Sequence, residues 1–249
     1  MGNAIRGYCF FDVTIILRVS VKKPNYKWVL FDLDDTLVDF PVQQALEQTL
    51  EHYNIQPTAE MLQEYHQLNY SLWQRYNSGE IDAMGLQQTR FIPFAKQIDC
   101  DPMTLNNSFL AQIVKLSEPL EGVIETLTLL RDHVNMGIIT NGFSMPQRGR
   151  INKLGWDQWF DPVVISDEVS LTKPSAEIFQ HTLALMGGAL PEEVLMVGDN
   201  PKTDIDGAAA QGIITCWYNP TQKEDHCLAT YEVNHIAELK QIILGGELL

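Results

Sequence analysis

The fold is decided by one short stretch of the sequence, Trp28-Val29-Leu30-Phe31-Asp32-Leu33-Asp34-Asp35-Thr36-Leu37. The apolar run at its start predicts a strand that is buried on both faces. Three carboxylates and a hydroxyl follow directly after that run. A buried carboxylate is costly unless a cation or hydrogen bonds receive it. Because ligands bind at the carboxyl ends of strands in an open α/β sheet, the cluster indicates a functional site.

Alternation along an extended chain predicts that Asp32 and Asp34 point the same way and that Leu33 points to the opposite face. Two neighbouring carboxylates can bind a hard cation such as Mg²⁺ and still divide the chemistry between them. One can act as a nucleophile while the other carries a proton. A strand that ends in an acidic turn, with an N-cap for a following helix, is the alternative structural interpretation.

The rest of the chain indicates an α/β fold that carries a helical insertion. Residues 39–118 contain no strong strand, and their apolar spacing predicts four helices, one of them over residues 81–98. We expect this segment to form an all-helical cap. Later apolar strands alternate with helices, which predicts right-handed crossovers and a parallel sheet covered on both faces. We therefore expect a Rossmann-like, doubly wound core made of residues 26–38 and 119–249.

The predicted strands after the first are residues 136–140, 163–165, 194–197 and 213–217.

The overall composition limits the classes of partner. The chain has 249 residues and a net charge of −15. Binding to a phosphate backbone relies on Lys and Arg, so we expect no nucleic-acid polymer as partner. The apolar run within residues 8–19 is far shorter than the ~20 residues of a membrane span and is not typical of a signal peptide. We therefore expect no membrane association, and we treat residues 1–25 as an N-terminal extension.

The cysteines indicate a reducing compartment. Four are present, and they form neither a CxxC pair nor a zinc-ligand spacing with a histidine. Free thiols are typical of a cytoplasmic protein. A monomer or a homodimer is expected.

Polar groups also stand at the end of the predicted strand over residues 136–140 and at a later predicted helix start. Thr140 and Asn141 end a predicted strand and precede Gly142, and a hydroxyl, an amide and a free backbone suit a phosphate. A turn closed by a side-chain hydrogen bond is the alternative. Lys173 stands at the predicted start of a helix, with Thr172 as N-cap, where both its charge and the helix N-terminus favour an anion.

The run Leu195-Met196-Val197 is a second apolar strand that ends in a carboxylate, Asp199, and Gly198 between them permits close approach of a neighbouring strand end. Asp199 is expected to complete a Mg²⁺ site with Asp32. Asp204 follows in the next helix. It can hold the metal ligands in place without binding the metal itself, or it can act as an N-cap.

In this order and at these positions, the motifs resemble those of the haloacid dehalogenase superfamily of phosphohydrolases. The resemblance covers about residues 27–240. It places the superfamily's class-I cap where this chain carries its helical insertion. The corresponding motifs here are Asp32 to Thr36, then Thr140, then Lys173, then Gly198-Asp199 with Asp204.

The residues around these motifs are similar to those of the bacterial pyrimidine 5′-nucleotidases, which remove phosphate from nucleoside monophosphates such as UMP, dUMP and dTMP. The similar stretches are Leu33 to Leu37, Thr140 to Phe143, and Val197 to Asn200 with Thr203-Asp204-Ile205. The resemblance implies Mg²⁺ as cofactor, a small phosphomonoester as substrate, Asp32 as nucleophile and Asp34 as general acid and base. It implies that phosphate is held by Thr140, the Asn141 backbone and Lys173, and that the metal is held by Asp32, Asp199 and the Asp34 backbone carbonyl. Asn69 and Trp73 would contact the substrate from the cap.

Several alternatives share parts of this pattern. A phosphosugar or phosphoglycolate phosphatase would keep every core residue and differ in its cap. A phosphomutase would also keep Asp34, whereas a dehalogenase needs no proton donor at that position. A binding protein without catalytic activity could use the same fold.

Overall fold

A parallel sheet of six strands forms the centre of the computed structural model, which describes residues 26–245; the expected N-terminal extension lies outside the described residues. The strands are β1 Trp28–Phe31, β2 Asn135–Thr140, β3 Val163–Ile165, β4 Val194–Gly198, β5 Ile214–Tyr218 and β6 Tyr231–Val233. Their order in the sheet is β3-β2-β1-β4-β5-β6, so the first strand is flanked by the second and the fourth.

β1 can be uninterruptedly apolar because both of its faces are covered. Val29 and Phe31 belong to the apolar cluster on one face of the sheet, and Leu30 belongs to the cluster on the other. All three side chains are fully buried. This arrangement confirms the predicted doubly wound α/β core.

The helices of the core cover both faces. The helices over residues 123–130, 144–153 and 239–244 contribute to the first cluster, and those over residues 176–185 and 207–209 contribute to the second. Within residues 26–245, every helix is too short or too polar to span a bilayer. The core helices are α6 Val123–Leu130, α7 Ser144–Lys153, α8 Ser166–Val169, α9 Ala176–Leu185, α10 Gly207–Ala209 and α11 Leu239–Leu244, with a π-helix over Pro201–Asp206.

A helical segment lies between β1 and α6 and has an apolar cluster of its own. Phe143, from the loop after β2, joins that cluster and so connects the segment to the core. The helices of the segment are α1 Val42–His52, α2 Ala59–Asn77, α3 Ala83–Thr89, α4 Ile92–Ile98 and α5 Pro102–Leu116.

The prediction of four helices in this segment was wrong, because the structure has five. The helix expected over residues 81–98 is interrupted at Arg90 and Phe91. Pro93 explains the break, since it has no N–H to continue a helix and is tolerated in a first turn. It occupies the first turn of α4.

Two other local predictions were also wrong. Strand β6 was not expected, because its sequence has the exposed Glu232 at its centre and so lacks the apolar run that marks the equally short β3. The helix expected from residue 174 begins at Ala176, and its N-cap is Ser175 rather than Thr172. The reason lies at Lys173, whose backbone N–H and carbonyl are both hydrogen-bonded to the Asn141 side chain.

The chain crosses between the sheet and the helical segment at two adjacent places. Val38 forms a β-bridge with Pro119. Next to it, the Asp39 N–H donates to the Glu118 carbonyl at 3.0 Å, and Asp39 Oδ1 accepts from the Glu118 N–H at 2.6 Å. We propose that the domain boundaries, at residues 38/39 and 118/119, fall at this crossing.

Candidate active site

The register of the central strands brings the predicted residues together at the carboxyl ends of the strands, which we call the site edge of the sheet. Phe31 aligns with Ile138 on one side and with Val197 on the other. The Asp32 N–H donates to the Val197 carbonyl at 2.9 Å, so the pairing with β4 continues past the end of β1. Asp32 therefore lies between the end of β2 and the end of β4, where Thr140 and Asp199 stand.

The ammonium group of Lys173 is buried at the centre of this edge. Its Nζ lies 2.6 Å from Asp32 Oδ1, 2.7 Å from Asp204 Oδ1 and 2.9 Å from the Ile139 carbonyl oxygen. An ammonium has three N–H donors, so each donor here has an acceptor. Desolvation lowers the pKa of Lys173, but the Asp204 and Asp32 carboxylates outweigh it and hold the pKa above its usual value.

Asn141 fixes the main chain that carries this lysine. Its Nδ2 donates to the Lys173 carbonyl at 2.7 Å, and its Oδ1 accepts from the Lys173 N–H at 2.7 Å. The Asn141 side chain is therefore engaged within the protein. The phosphate-binding role predicted for this residue would fall to its backbone.

Three carboxylates come together beside Lys173. Asp32, Asp199 and Asp204 each place an oxygen within 4.8 Å of the others. Burial raises the pKa of Asp32 well above its usual value, and Lys173 opposes that shift. Burial, together with the Asp204 and Asp35 carboxylates, raises the pKa of Asp199 to about 7. The cluster carries more negative charge than one ammonium balances, which is an environment suited to a hard cation.

Asp199 and Asp204 differ in how far their oxygens are engaged. Asp204 uses Oδ1 for Lys173 and accepts the Asn200 N–H on Oδ2 at 3.1 Å. In contrast, no hydrogen bond or ion pair within residues 26–245 engages the Asp199 carboxylate, although Trp217 Nε1 donates to its backbone carbonyl. This difference fits Asp199 as a direct cation ligand and Asp204 as a supporting residue.

The alternative interpretation of Asp204 as an N-cap was wrong. Asn200 caps the π-helix, where its side chain accepts from the N–H groups of Lys202 and Thr203. Asp204 lies inside that helix and is 1% exposed. Gly198 makes room for it, because a Cβ at that position would lie 2.6 Å from Asp204 Cβ and Cγ.

Asp34 reaches the same edge but contacts different partners from Asp32. It forms an ion pair with Arg150, and Gln147 Nε2 donates to its Oδ2 at 3.0 Å. The same Nε2 donates to Thr140 Oγ1 at 2.8 Å, and Gln147 Oε1 accepts from Arg150. Gln147 thus links the predicted acid/base residue to the predicted phosphate ligand.

Gln147 and Arg150 were not among the predicted site residues, although both lie on α7 and are buried. One signal was available: the segment Ser144–Lys153 has almost no apolar stripe, although helices that cover a sheet usually have one. A core helix whose buried face is polar indicates a site. Arg90, at the end of α3, was missed as well.

A cavity of about 250 Å³ lies beside Asp34, between the helical segment and the strand ends. Its wall includes Asn69 and Trp73 from α2, the two residues predicted to contact substrate from the cap. Trp73 stacks on Phe143, with ring centroids 5.1 Å apart and planes inclined by 27°. Asp32 and Lys173 are not part of the wall, so Asp34 is the predicted catalytic residue that borders the cavity.

Known proteins match this chain over most of its length. It is 36% identical to the pyrimidine 5′-nucleotidase YjjG of Escherichia coli over 88% of this chain and 98% of that protein. It is 32% identical to the pyrimidine 5′-nucleotidase PynA of Streptococcus pneumoniae over 86% and 93% of the two chains. The crystal structure of the HAD-hydrolase YfnB of Bacillus subtilis bound to magnesium is similar with a TM-score of 0.79 and 28% identity, covering 88% of this chain and 99% of that one.

The family model of the haloacid dehalogenase-like hydrolases matches residues 26–212. This range contains all the predicted motif residues, from Asp32 to Asp204, which confirms the resemblance found in the motifs. The chain therefore belongs to the haloacid dehalogenase-like hydrolases.

Proposed function

We propose that this enzyme hydrolyses phosphomonoesters through an aspartyl-phosphate and that its substrates are pyrimidine nucleoside monophosphates such as UMP, dUMP and dTMP. The observation that carries the proposal is the cavity that joins Asp34 to the aromatic wall of Trp73 and Phe143. The similarity to two pyrimidine 5′-nucleotidases over nearly their whole length supports the substrate class. The proposal includes a cytoplasmic monomer or homodimer.

In the first half-reaction, a carboxylate oxygen of Asp32 attacks phosphorus, and the bond from phosphorus to the leaving oxygen breaks. Asp34 gives its proton to that oxygen, so the nucleoside leaves as a neutral alcohol. Lys173, with Nζ 2.6 Å from Asp32 Oδ1, places positive charge beside the attacking carboxylate. Thr140 and the Asn141 backbone are proposed to bind the phosphoryl oxygens.

In the second half-reaction, Asp34 takes a proton from a water molecule, and that water attacks phosphorus. The bond between phosphorus and Asp32 breaks, which restores the carboxylate and releases phosphate. Arg150 and Gln147 keep Asp34 at the edge of the cavity between the two steps. The helical segment closes over the site and excludes bulk water.

Mg²⁺ is the proposed cofactor. Asp32, Asp199 and the Asp34 backbone carbonyl would hold it, with Asp204 in support. The unengaged Asp199 carboxylate and its raised pKa of about 7 both support a cation at this place. When bound, Mg²⁺ neutralises charge on the phosphoryl oxygens.

The function is tested with a Mg²⁺-dependent phosphate-release panel that includes UMP, dUMP, dTMP, purine monophosphates, phosphoglycolate and hexose phosphates. We expect the highest kcat/KM for pyrimidine nucleotides. Asp32→Asn should reduce release to the background rate while circular dichroism shows an intact fold, because an amide is a far weaker nucleophile than a carboxylate. A preference for a sugar phosphate, or substantial turnover by Asp32→Asn, would contradict the proposal.

The cation site is tested by thermal unfolding with and without Mg²⁺. Saturating Mg²⁺ should raise Tm by about 5–10 °C, since a ligand that binds the folded state at a hundred times its Kd contributes about 2.7 kcal/mol. Asp199→Asn should raise the metal-free Tm, because it removes one of the crowded charges, and should abolish the response to Mg²⁺. Asp132→Asn is the matched control, because this exposed residue lies just before the start of β2, at the amino ends of the strands and away from the site. An unchanged Mg²⁺ response in Asp199→Asn would exclude Asp199 as a ligand.

The linking role of Gln147 is tested with Gln147→Leu, which removes the amide between Asp34 and Thr140. We expect kcat to fall about 10-fold or more, because the acid/base carboxylate loses its orientation. Gln180→Leu makes the same change on the exposed surface of α9 and should leave kcat unchanged. The kcat of both variants is measured by steady-state kinetics with UMP. Equal kcat values would show that Gln147 does not orient Asp34.

A further inference from the structure

Arg90 is a buried cation that has no carboxylate partner in the described part of the chain. It is 3% exposed, lines the cavity beside Asp34 and forms no ion pair with any acidic residue among residues 26–245. Buried charges are normally paired, because desolvating an ion is costly. Burial lowers the pKa of Arg90, yet a guanidinium stays charged at neutral pH. Such a cation needs an explanation beyond packing.

A chain of amides holds the Arg90 guanidinium in one orientation. Nε and Nη2 both donate to Asn106 Oδ1, at 2.9 and 2.6 Å. Asn106 Nδ2 donates to Gln87 Oε1 at 3.0 Å, and Gln87 Nε2 donates to the Ala83 carbonyl at 3.2 Å. An arginine only donates and a main-chain carbonyl only accepts, so both ends of the chain fix how the amides are turned. The guanidinium is thereby oriented in advance of binding.

The surroundings of Arg90 favour a neutral acceptor over an anion. The guanidinium carbon lies 5.6 Å from the ring centroid of Phe91, 5.0 Å from that of Phe109 and 5.5 Å from that of Phe143. The face of an aromatic ring carries negative potential, which attracts a cation and repels an anion. These rings, together with the neighbouring Tyr65 hydroxyl, therefore compensate the charge of Arg90, and the rings disfavour a carboxylate in the same place.

Asn69 adds a second donor to this part of the wall. Arg90 Nη1 lies 3.4 Å from Asn69 Oδ1. Because arginine has no acceptor, the oxygen of the amide must face it, and the NH₂ group must face away. No hydrogen bond in the described part of the chain engages that NH₂ group, and Asn69 lines the cavity. Arg90 and Asn69 thus present N–H donors to the cavity and no free acceptor.

We propose that Arg90 and Asn69 form a donor pair that binds the carbonyl oxygen of a pyrimidine base, an inference that rests on the proposed function. Cytosine, uracil and thymine all carry a carbonyl beside the glycosidic nitrogen, so a wall of donors suits each of them. Adenine has no carbonyl group. Trp73 and Phe143, which stack on each other, give the cavity flat apolar surfaces of the kind that accept a planar ring.

The test compares kcat/KM for UMP with that for ribose 5-phosphate, which keeps the reacting group and lacks the base. Arg90→Met should lower kcat/KM for UMP about 10- to 100-fold, mainly through KM, because a charged donor to the base is lost. The value for ribose 5-phosphate should change by less than about threefold, since the reaction centre keeps its residues. Arg75→Met removes an exposed arginine of α2 that pairs with Glu80, and it should change neither value.

An equal loss on both substrates would show that Arg90 acts on the fold or the chemistry rather than on the base, and it would overturn the inference. So would an unchanged UMP value, or a selective loss on phosphoglycolate, which would make Arg90 a carboxylate ligand. A wild-type enzyme that prefers ribose 5-phosphate to UMP would instead contradict the proposed function itself. If Arg90→Met does not fold, Asn69→Asp carries the test. It keeps the shape of the side chain, replaces its donors with acceptors, and should give the same selective loss on UMP.

Discussion

The site depends on the buried ammonium of Lys173. Its three contacts join the end of β1 through Asp32, the end of β2 through Ile139 and the π-helix after β4 through Asp204. Without this cation, Asp32 and Asp204 would be desolvated carboxylates facing each other. A buried ion pair contributes little net stability, but removing one partner is strongly destabilising. The lysine therefore determines the arrangement of the site, and Asn141 determines the position of the lysine.

Three cations are buried within residues 26–245, and they differ in their partners. Lys173 has two carboxylates, Arg150 has Asp34, and Arg90 has none among residues 26–245. The first sits among more negative charge than it balances, which suits a metal ion beside it. The last is balanced by amides and ring faces, which suits a neutral ligand group. In a chain with a net charge of −15, these local charges decide what can bind.

Local signals were sufficient to predict the core of the fold and its motifs. An apolar run predicts a buried strand, and the carboxylate that follows it, Asp32 or Asp199, marks where a site residue stands. Both features can be predicted because they are adjacent in sequence. Gln147 and Arg150 were marked only by the missing apolar stripe of their helix, and Arg90 by nothing local, since the roles of all three arise from contacts between distant segments. The position of Arg90 also depends on the helix break before Pro93, which the apolar spacing did not reveal. Whether a polar residue on a helix faces solvent or a site is decided by tertiary packing.

The central claim is that Asp32 forms a covalent bond to phosphorus during turnover. The most direct measurement is to mix the enzyme with UMP and Mg²⁺, quench in acid within one turnover, reduce with borohydride and sequence the peptides by mass spectrometry. Borohydride converts an acyl phosphate of aspartate to homoserine. We expect homoserine at residue 32 and an unmodified Asp34. Phosphate or homoserine at another residue, or turnover without any modified residue, would contradict it.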